Sequence, residues 1–286
     1  MRTMLRGASV LAVSLVLAGA VSAAEPAPLQ KTAQKKPAKS ALDTERLKKA
    51  IESGDEAQVL AALAELGAVP EADRAAAAEL SGLVLSRGGS AKVLVQALEV
   101  TGKLGQQSSS SALAPYVKHR QPDVRKAAAL ALLQTRGPEA VQALRDALRG
   151  NDPALRGVAA SGLGSLKAYE AVNDLFAVLP RGVPEAASAI GELCRGAECP
   201  KFVELIGKLP FDLMEAGLGP ILLRVDPEVG EATQLAIVQR VYGLQTNQAL
   251  EILKTAHAQF PKNGSPKVKA ALAAVVAGKP LPKVAP

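Results

Sequence analysis

Few residues in this chain are of a type that does chemistry. Its 286 residues include two cysteines, Cys194 and Cys199, and two histidines, His119 and His257. A structural zinc ion takes four ligands. The histidines are isolated and distant in sequence, so the cysteines alone leave such a site two ligands short. In Cys194-Arg-Gly-Ala-Glu-Cys199-Pro200 the spacing is too wide for one helical turn. A helix must therefore stop inside the loop, and Gly196 can adopt the left-handed conformation of a helix C-cap. In an oxidising compartment the even count favours a disulfide over free thiols. Closing so short a loop is worth about 2 kcal/mol in the chain-entropy model. Ser108-Ser109-Ser110-Ser111 has no nearby base and reads as a loop with a helix N-cap. Gly162-Leu163-Gly164 lies inside a helical pattern, where close packing is the simpler role than phosphate binding. Glu65, Glu71 and Glu79 fall on polar helix faces, and His119, between Lys118 and Arg120, reads as an exposed helix end. No metal-ligand spacing and no phosphate loop between a strand and a helix is present. No catalytic, cofactor-binding or metal-binding residue is assigned, and no cofactor is expected.

The N-terminus sets the compartment. Met1 to Gly7 carries Arg2 and Arg6, Ala8 to Ala20 is uncharged and mostly apolar, and Val21-Ser22-Ala23-Ala24 offers small residues. This is the layout of a secretory signal peptide over residues 1–24, cleaved after Ala23 or Ala24. The alternatives are a buried N-terminal helix or an uncleaved anchor. The apolar run is shorter than the roughly 20 residues that span a bilayer as a helix. Export to the periplasm or the extracellular space is expected, with no membrane span left after cleavage. Residues 25–42 are rich in Ala, Pro, Lys and Gln and read as a disordered tether. Residues 279–286 read as a loose tail.

The net charge of +7 suggests nucleic acid, but its distribution argues against one. Without the leader, 32 basic residues face 27 acidic ones. Lys31, Lys35, Lys36 and Lys39 lie in the tether, and Lys262, Lys267, Lys269, Lys279 and Lys283 follow Pro261. The body between these ends is slightly acidic. A phosphate-tracking groove needs clustered cations in the folded part. Base-stacking platforms are scarce too, with no Trp, three Tyr and four Phe.

Leu, Ala and Val dominate the body, Gly or Pro punctuates it, and no period-two alternation persists. Pro122-Asp-Val-Arg125, Pro153-Ala-Leu-Arg156 and Pro184-Glu-Ala-Ala187 stand 31 residues apart, with a weaker copy at Ala91-Lys-Val-Leu94. Each opens an apolar helical run, and proline is well tolerated in a helix's first turn. Asp152 is a good N-cap. Small residues such as Ala128, Ala131, Ala159 and Gly162 allow close helix approach. Another helix precedes each copy, at Ser109–Lys118, Pro138–Leu148 and Tyr169–Leu179. Each αα-hairpin is too small to bury its own core, so the pairs must stack.

Asn151-Asp152-Pro153-Ala-Leu-Arg156 resembles the inter-helix turn of the HEAT-repeat family, Asp-Pro-x-Val-Arg. Gln121-Pro122-Asp-Val-Arg125 resembles it with Gln for Asp, and Asp226-Pro227-Glu-Val-Gly230 with Gly for Arg. The match is specific over roughly 109–195 and compatible at 43–106 and 200–277. Pro210 to Arg224, with Gly217, Gly219 and Pro220, departs most, and reads as a broken helix or a longer inter-repeat element. The resemblance implies an all-α fold: an α-solenoid of about seven stacked helix pairs over residues 43–278, in a right-handed superhelix. It also implies a structural inter-repeat ladder of Arg125, Asp152 and Arg156, with Arg125 reaching Asp152. It places the second helix of each pair, starting near Pro122, Pro153, Pro184 and Pro227, on the concave side. Lys126 and Lys167 are the candidate binding residues there, while Arg145 and Asp174 belong to the outer helices.

The function expected is a non-enzymatic exported scaffold that binds a protein or peptide, or a cell-envelope polymer, and not nucleic acid. The alternatives are a HEAT-like enzyme of the bilin-lyase type and a purely structural envelope protein. Fold alone does not decide among these.

Overall fold

The computed structural model describes residues 42–282. The signal-peptide segment 1–24, most of the tether (25–41) and the last four residues lie outside the described residues. The described chain is helical, and its fifteen α-helices fall into seven consecutive pairs and a final single helix. The pairs are α1 (Thr44–Glu52) with α2 (Glu56–Leu66), α3 (Arg74–Arg87) with α4 (Ala91–Leu104), and α5 (Ser110–Leu113) with α6 (Pro122–Thr135). Next come α7 (Pro138–Arg149) with α8 (Pro153–Ser165) and α9 (Val172–Val178) with α10 (Pro184–Leu193). The last are α11 (Glu198–Val203) with α12 (Phe211–Leu223) and α13 (Glu231–Gly243) with α14 (Asn247–Gln259). The single helix α15 is Pro266–Val276.

Like helices stack on like. From α2 to α14 each second helix packs on the next second helix, while α1–α3–α5–α7–α9 and α11–α13–α15 do the same in the first row. One continuous apolar core runs between the rows, from Leu47 through Leu98, Leu132, Leu163 and Phe202 to Leu272. The local causes are in the sequence. Pro122, Pro138, Pro153, Pro184 and Pro266 open their helices in the first turn. Asp43, Asp55, Ser90, Asp152, Thr246 and Ser265 each accept a backbone N–H three residues on.

The first row is shorter than its sequence pattern suggests. Ser109–Lys118 is one α-turn followed by a 3₁₀ segment, Ala114–Lys118, where Pro115 cannot donate to an α ladder. Tyr169–Leu179 likewise holds only Val172–Val178 as α-helix, flanked by 3₁₀ turns.

The second row is packed through glycine. A Cβ on Gly102 would stand 2.7 Å from the Ala131 Cα, and one on Gly162 would stand 2.5 Å from the Leu133 Cδ2. A Cβ on Gly191 would stand 2.5 Å from the Gly217 carbonyl oxygen, and one on Gly217 would collide with the Ala187 carbonyl and the Phe202 ring. Pro210–Arg224 is therefore neither broken nor an insertion: it contains α12, a regular second-row helix. Its interior Pro220 is tolerated because Gly219, lacking a Cβ, does not clash with the proline ring in the helical conformation. The Ala216 carbonyl, which Pro220 cannot serve, belongs to an exposed residue.

Candidate binding surface

The Asp-Pro turns build one edge of the stack. Arg125, in the first turn of α6, donates from Nε (3.1 Å) and Nη2 (2.5 Å) to Asp152 Oδ2, and from Nη1 to the His119 and Arg120 carbonyls. Asp152 Oδ1 accepts the Leu155 N–H at 3.1 Å, so one carboxylate caps α8 and ties it to α6. Both side chains are about one-fifth exposed. His119 is half-buried rather than an exposed end: its Nδ1 accepts the Gln121 N–H, and its ring lies beside Tyr116.

The ladder has this rung, and both neighbouring positions break it. Upstream, Leu94 stands where an arginine would serve Gln121, and Gln121 Oε1 is buried without a partner. Downstream, Arg156 is not a rung. Its Nη1 reaches back to the Gly150 carbonyl (2.9 Å), as Arg125 Nη1 does to that of His119, but Val183 stands at the N-cap of α10 where a carboxylate would complete the rung. Its Nε is buried without an acceptor.

The opposite edge carries cations at the C-terminal ends of second-row helices, an arrangement that lies outside the Asp-Pro-x-Val-Arg motif. Lys103 Nζ donates to the Gly67 carbonyl at the end of α2 (2.7 Å), and Arg136 to Ser165 at the end of α8 (3.0 Å). Arg224 Nη1 donates to the Gly191 and Cys194 carbonyls at the end of α10 (3.2 and 2.8 Å) while its other nitrogens hold Asp226. Orphan carbonyls and the negative end of the helix dipole make these good cation positions. The signal was the run of Lys and Arg closing second-row helices.

Cys194 and Cys199 are joined at this edge, with S–S 2.11 Å, and both are fully buried. The helix stops earlier than the glycine suggested. Leu193 ends α10, Cys194 is its C-cap, and Gly196 takes φ +49° in the following turn and donates its N–H to the Glu228 carbonyl. Arg195 covers the Tyr169 ring at 3.4 Å and Lys201 the Phe176 ring at 4.5 Å, tying this loop to α9 and the turn before it.

The exposed second-row surface offers the candidate interface. A cleft of about 720 Å³ lies between α2, α4 and the start of α6. Ala64, Ala68 and Val95 give it apolar character, and Lys92, Glu99 and Asp123 are exposed beside it without ion-pair partners among the described residues. Lys126 stands three residues beyond Asp123 on α6, exposed and likewise unpaired. Lys167 is not on a second-row helix. It sits in the turn after α8 at φ +57° and pairs with Glu192 at 3.4 Å. Pro227 opens no helix either: α13 begins at Glu231 and belongs to the first row. Arg145 and Asp174 are not free outer positions. They pair at 2.6 Å, Arg149 joins at 2.9 Å, and both are more than two-thirds buried. Among the described residues no helix is long and apolar enough to cross a membrane, and no group of three or more His, Cys, Asp or Glu could hold a metal ion.

Arg125, Lys118 and Arg224 hold Asp152, Asp146 and Asp226 below the usual carboxylate range through direct hydrogen bonds. Burial pushes Asp174 up, but Arg145 and Arg149 outweigh it and the net shift is also down. Carboxylates depressed in the folded state contribute stability above their unfolded pKa, about 4, and lose it as pH falls through the folded values. The melting temperature should therefore hold from pH 7 to about 5 and drop below about 4. Asp152→Asn should flatten that acid limb in melts across pH 2–7. An acid limb as steep as that of the unmodified chain would remove the carboxylate from the account.

Two rows of stacked helix pairs over one core define the α-solenoid class. Within it, residues 80–164 match the HEAT repeats family, so this part of the chain consists of HEAT repeats. Among solved structures, the chain is similar to the complex of CpcE and CpcF of phycocyanin lyase from Nostoc sp. PCC7120. That similarity runs at 18% identity and TM-score 0.45, over 84% of this chain and 100% of that one. It is similar to an engineered protein at 17% identity and TM-score 0.40, over 83% of this chain and 98% of that one. No curated protein matches at significance.

Proposed function

We propose that this chain is an exported, non-enzymatic scaffold that binds a protein or peptide on its second-row surface. The observation that carries this reading is the second-row cleft and the unpaired charges beside it. On the first row, Asp146 and Asp174 are consumed in cross-repeat ion pairs. On the second row, Lys92, Glu99 and Asp123 line an open apolar cleft with their charges unspent, and Lys126 stands exposed and unpaired three residues beyond Asp123. Free charges beside an apolar patch suit recognition, since rim charges steer and register a partner.

The test is capture of envelope protein by the chain lacking residues 1–24. Lys126→Glu should reduce specific capture at least about tenfold, as for an interface charge facing its opposite. Glu79→Lys, on the exposed first-row face of α3, should leave capture unchanged. Both variants should melt like the parent, because neither residue has a partner to lose. Equal capture by all three proteins would count against the second-row surface. Turnover of a small molecule that one cleft substitution abolishes would replace the scaffold reading with an enzymatic one.

A further inference from the structure

The break in the ladder at Arg156 leaves a built site without its anion. Arg156 is only 8% exposed, its Nε has no acceptor, and among the described residues its side chain donates only from Nη1 to the Gly150 carbonyl. A second guanidinium, that of Arg181, converges on the same carbonyl at 3.5 Å. Among the described residues neither arginine has a carboxylate within ion-pairing distance. Glu185 lies over Gly157 instead. Two cations thus share one neutral oxygen, in a partly desolvated place where an unpaired charge is costly.

The repeat shows what belongs there. Arg125 and Arg156 are 31 residues apart, as are Asp152 and Val183. At the first position of each pair, one carboxylate joins the arginine Nε to the N-terminus of the next second-row helix. At the second, the ten-residue helix α10 begins with no side-chain cap, and the arginine Nε is buried with nothing to serve. The turn leaves room for an approach. Arg181 and Gly182 are exposed, and nothing lies within 4 Å of a Cβ placed on Gly182.

We propose that the α8–α10 junction binds a compact oxyanion. Arg156 and Arg181 supply the charge and the α10 N-terminus the Glu185 N–H, while the Ala186 N–H is already held by the Val183 carbonyl; together they replace the missing ladder carboxylate. The oxyanion could be a free phosphate or the carboxylate of an acidic side chain. This site lies on the turn edge, away from the cleft of the second row, and does not depend on the scaffold reading.

The arginine Nε–Hε resonances of the isotope-labelled chain lacking residues 1–24 give the test. They are followed on adding sodium phosphate, or N-acetyl-aspartate amide, against sodium chloride of equal ionic strength. Saturable movement of the Arg156 resonance is expected. Saturation by phosphate alone assigns the site to a free anion, and saturation by the aspartate derivative to an acidic segment. Arg181→Ala, an exposed change, should weaken the response about tenfold through loss of a charge-assisted contact. Val183→Asp supplies the carboxylate from within, so its Arg156 resonance should begin near that of Arg125 and ignore both anions. No saturable movement with either anion, or the same movement in Val183→Asp, overturns the proposal.

Discussion

Gly217→Ala should destabilise the chain by about 2–3 kcal/mol, although alanine is the better helix former. The new methyl has nowhere to go. It meets a backbone carbonyl, that of Ala187, and the fully buried Phe202 ring. Backbone cannot rotate aside as a side-chain tip does, so α10 and α12 must separate. Separation loosens the junction that also carries Gly191, Arg224 and the disulfide turn. Gly82→Ala is the control. Gly82 lies within α3 and a Cβ there meets nothing within 4 Å. That change should stabilise by about 0.5–1 kcal/mol through helix propensity alone. Urea melts of both variants give the comparison. A Gly217→Ala protein as stable as the parent would show that the helices are not held as closely as described.

Arg125→Ala should cost about 1–3 kcal/mol, and Lys126→Ala close to nothing. The two residues are adjacent and both cationic, so charge count does not separate them. Position does. Arg125 is largely buried and serves one carboxylate and two carbonyls across an inter-repeat turn, whereas Lys126 extends from α6 without a partner. Removing Arg125 leaves Asp152 with only its cap bond and exposes the His119 and Arg120 carbonyls to whatever water can reach them. Equal urea midpoints for the two variants would remove the rung from the stability argument.

The fold was readable because its causes are local. Proline in the first turn and an apolar face at helical spacing recur every 31 residues in mid-chain, Asp or Ser caps open several helices, and each acts within one helix. Legibility failed where a contact depends on two repeats at once. Arg156 carries the ladder motif, but its role is set by Val183, one repeat later; the missing acid was visible only by stepping 31 residues beyond Asp152. Pro227 repeats the Asp-Pro dipeptide. By then, however, the disulfide turn and the short α11 have ended the 31-residue step, and α12 starts at Phe211 without the motif. The resemblance placed Arg145 and Asp174 on the outer helices. It could not show that their side chains pair from one repeat to the next. For the surface, exposure of Lys126 followed from its place on α6. The turn that takes Lys167 off the helix row needed the backbone.

The close contacts of the second row also fix the order of the repeats. Along the 31-residue step, Gly102 corresponds to Leu133, and Ala131 to Gly162. At the α4–α6 junction glycine faces alanine, and at the α6–α8 junction leucine faces glycine. The two junctions are filled differently: at α4–α6 glycine meets the Ala131 backbone itself, and at α6–α8 a leucine side chain fills the space above glycine. If α4 met α8 directly, glycine would face glycine, and the helices would have to move closer together, as α10 and α12 do at Gly191 and Gly217. If a second copy of α6 followed the first, leucine would face alanine and collide. Repeats similar enough to nucleate on one another during folding are thereby sorted by volume, which works against slipped or exchanged stacking. An inserted copy of Pro122–Asp152 would extend the Arg–Asp rung without a break. It would also need Ala131→Gly in the second copy before its helices could close.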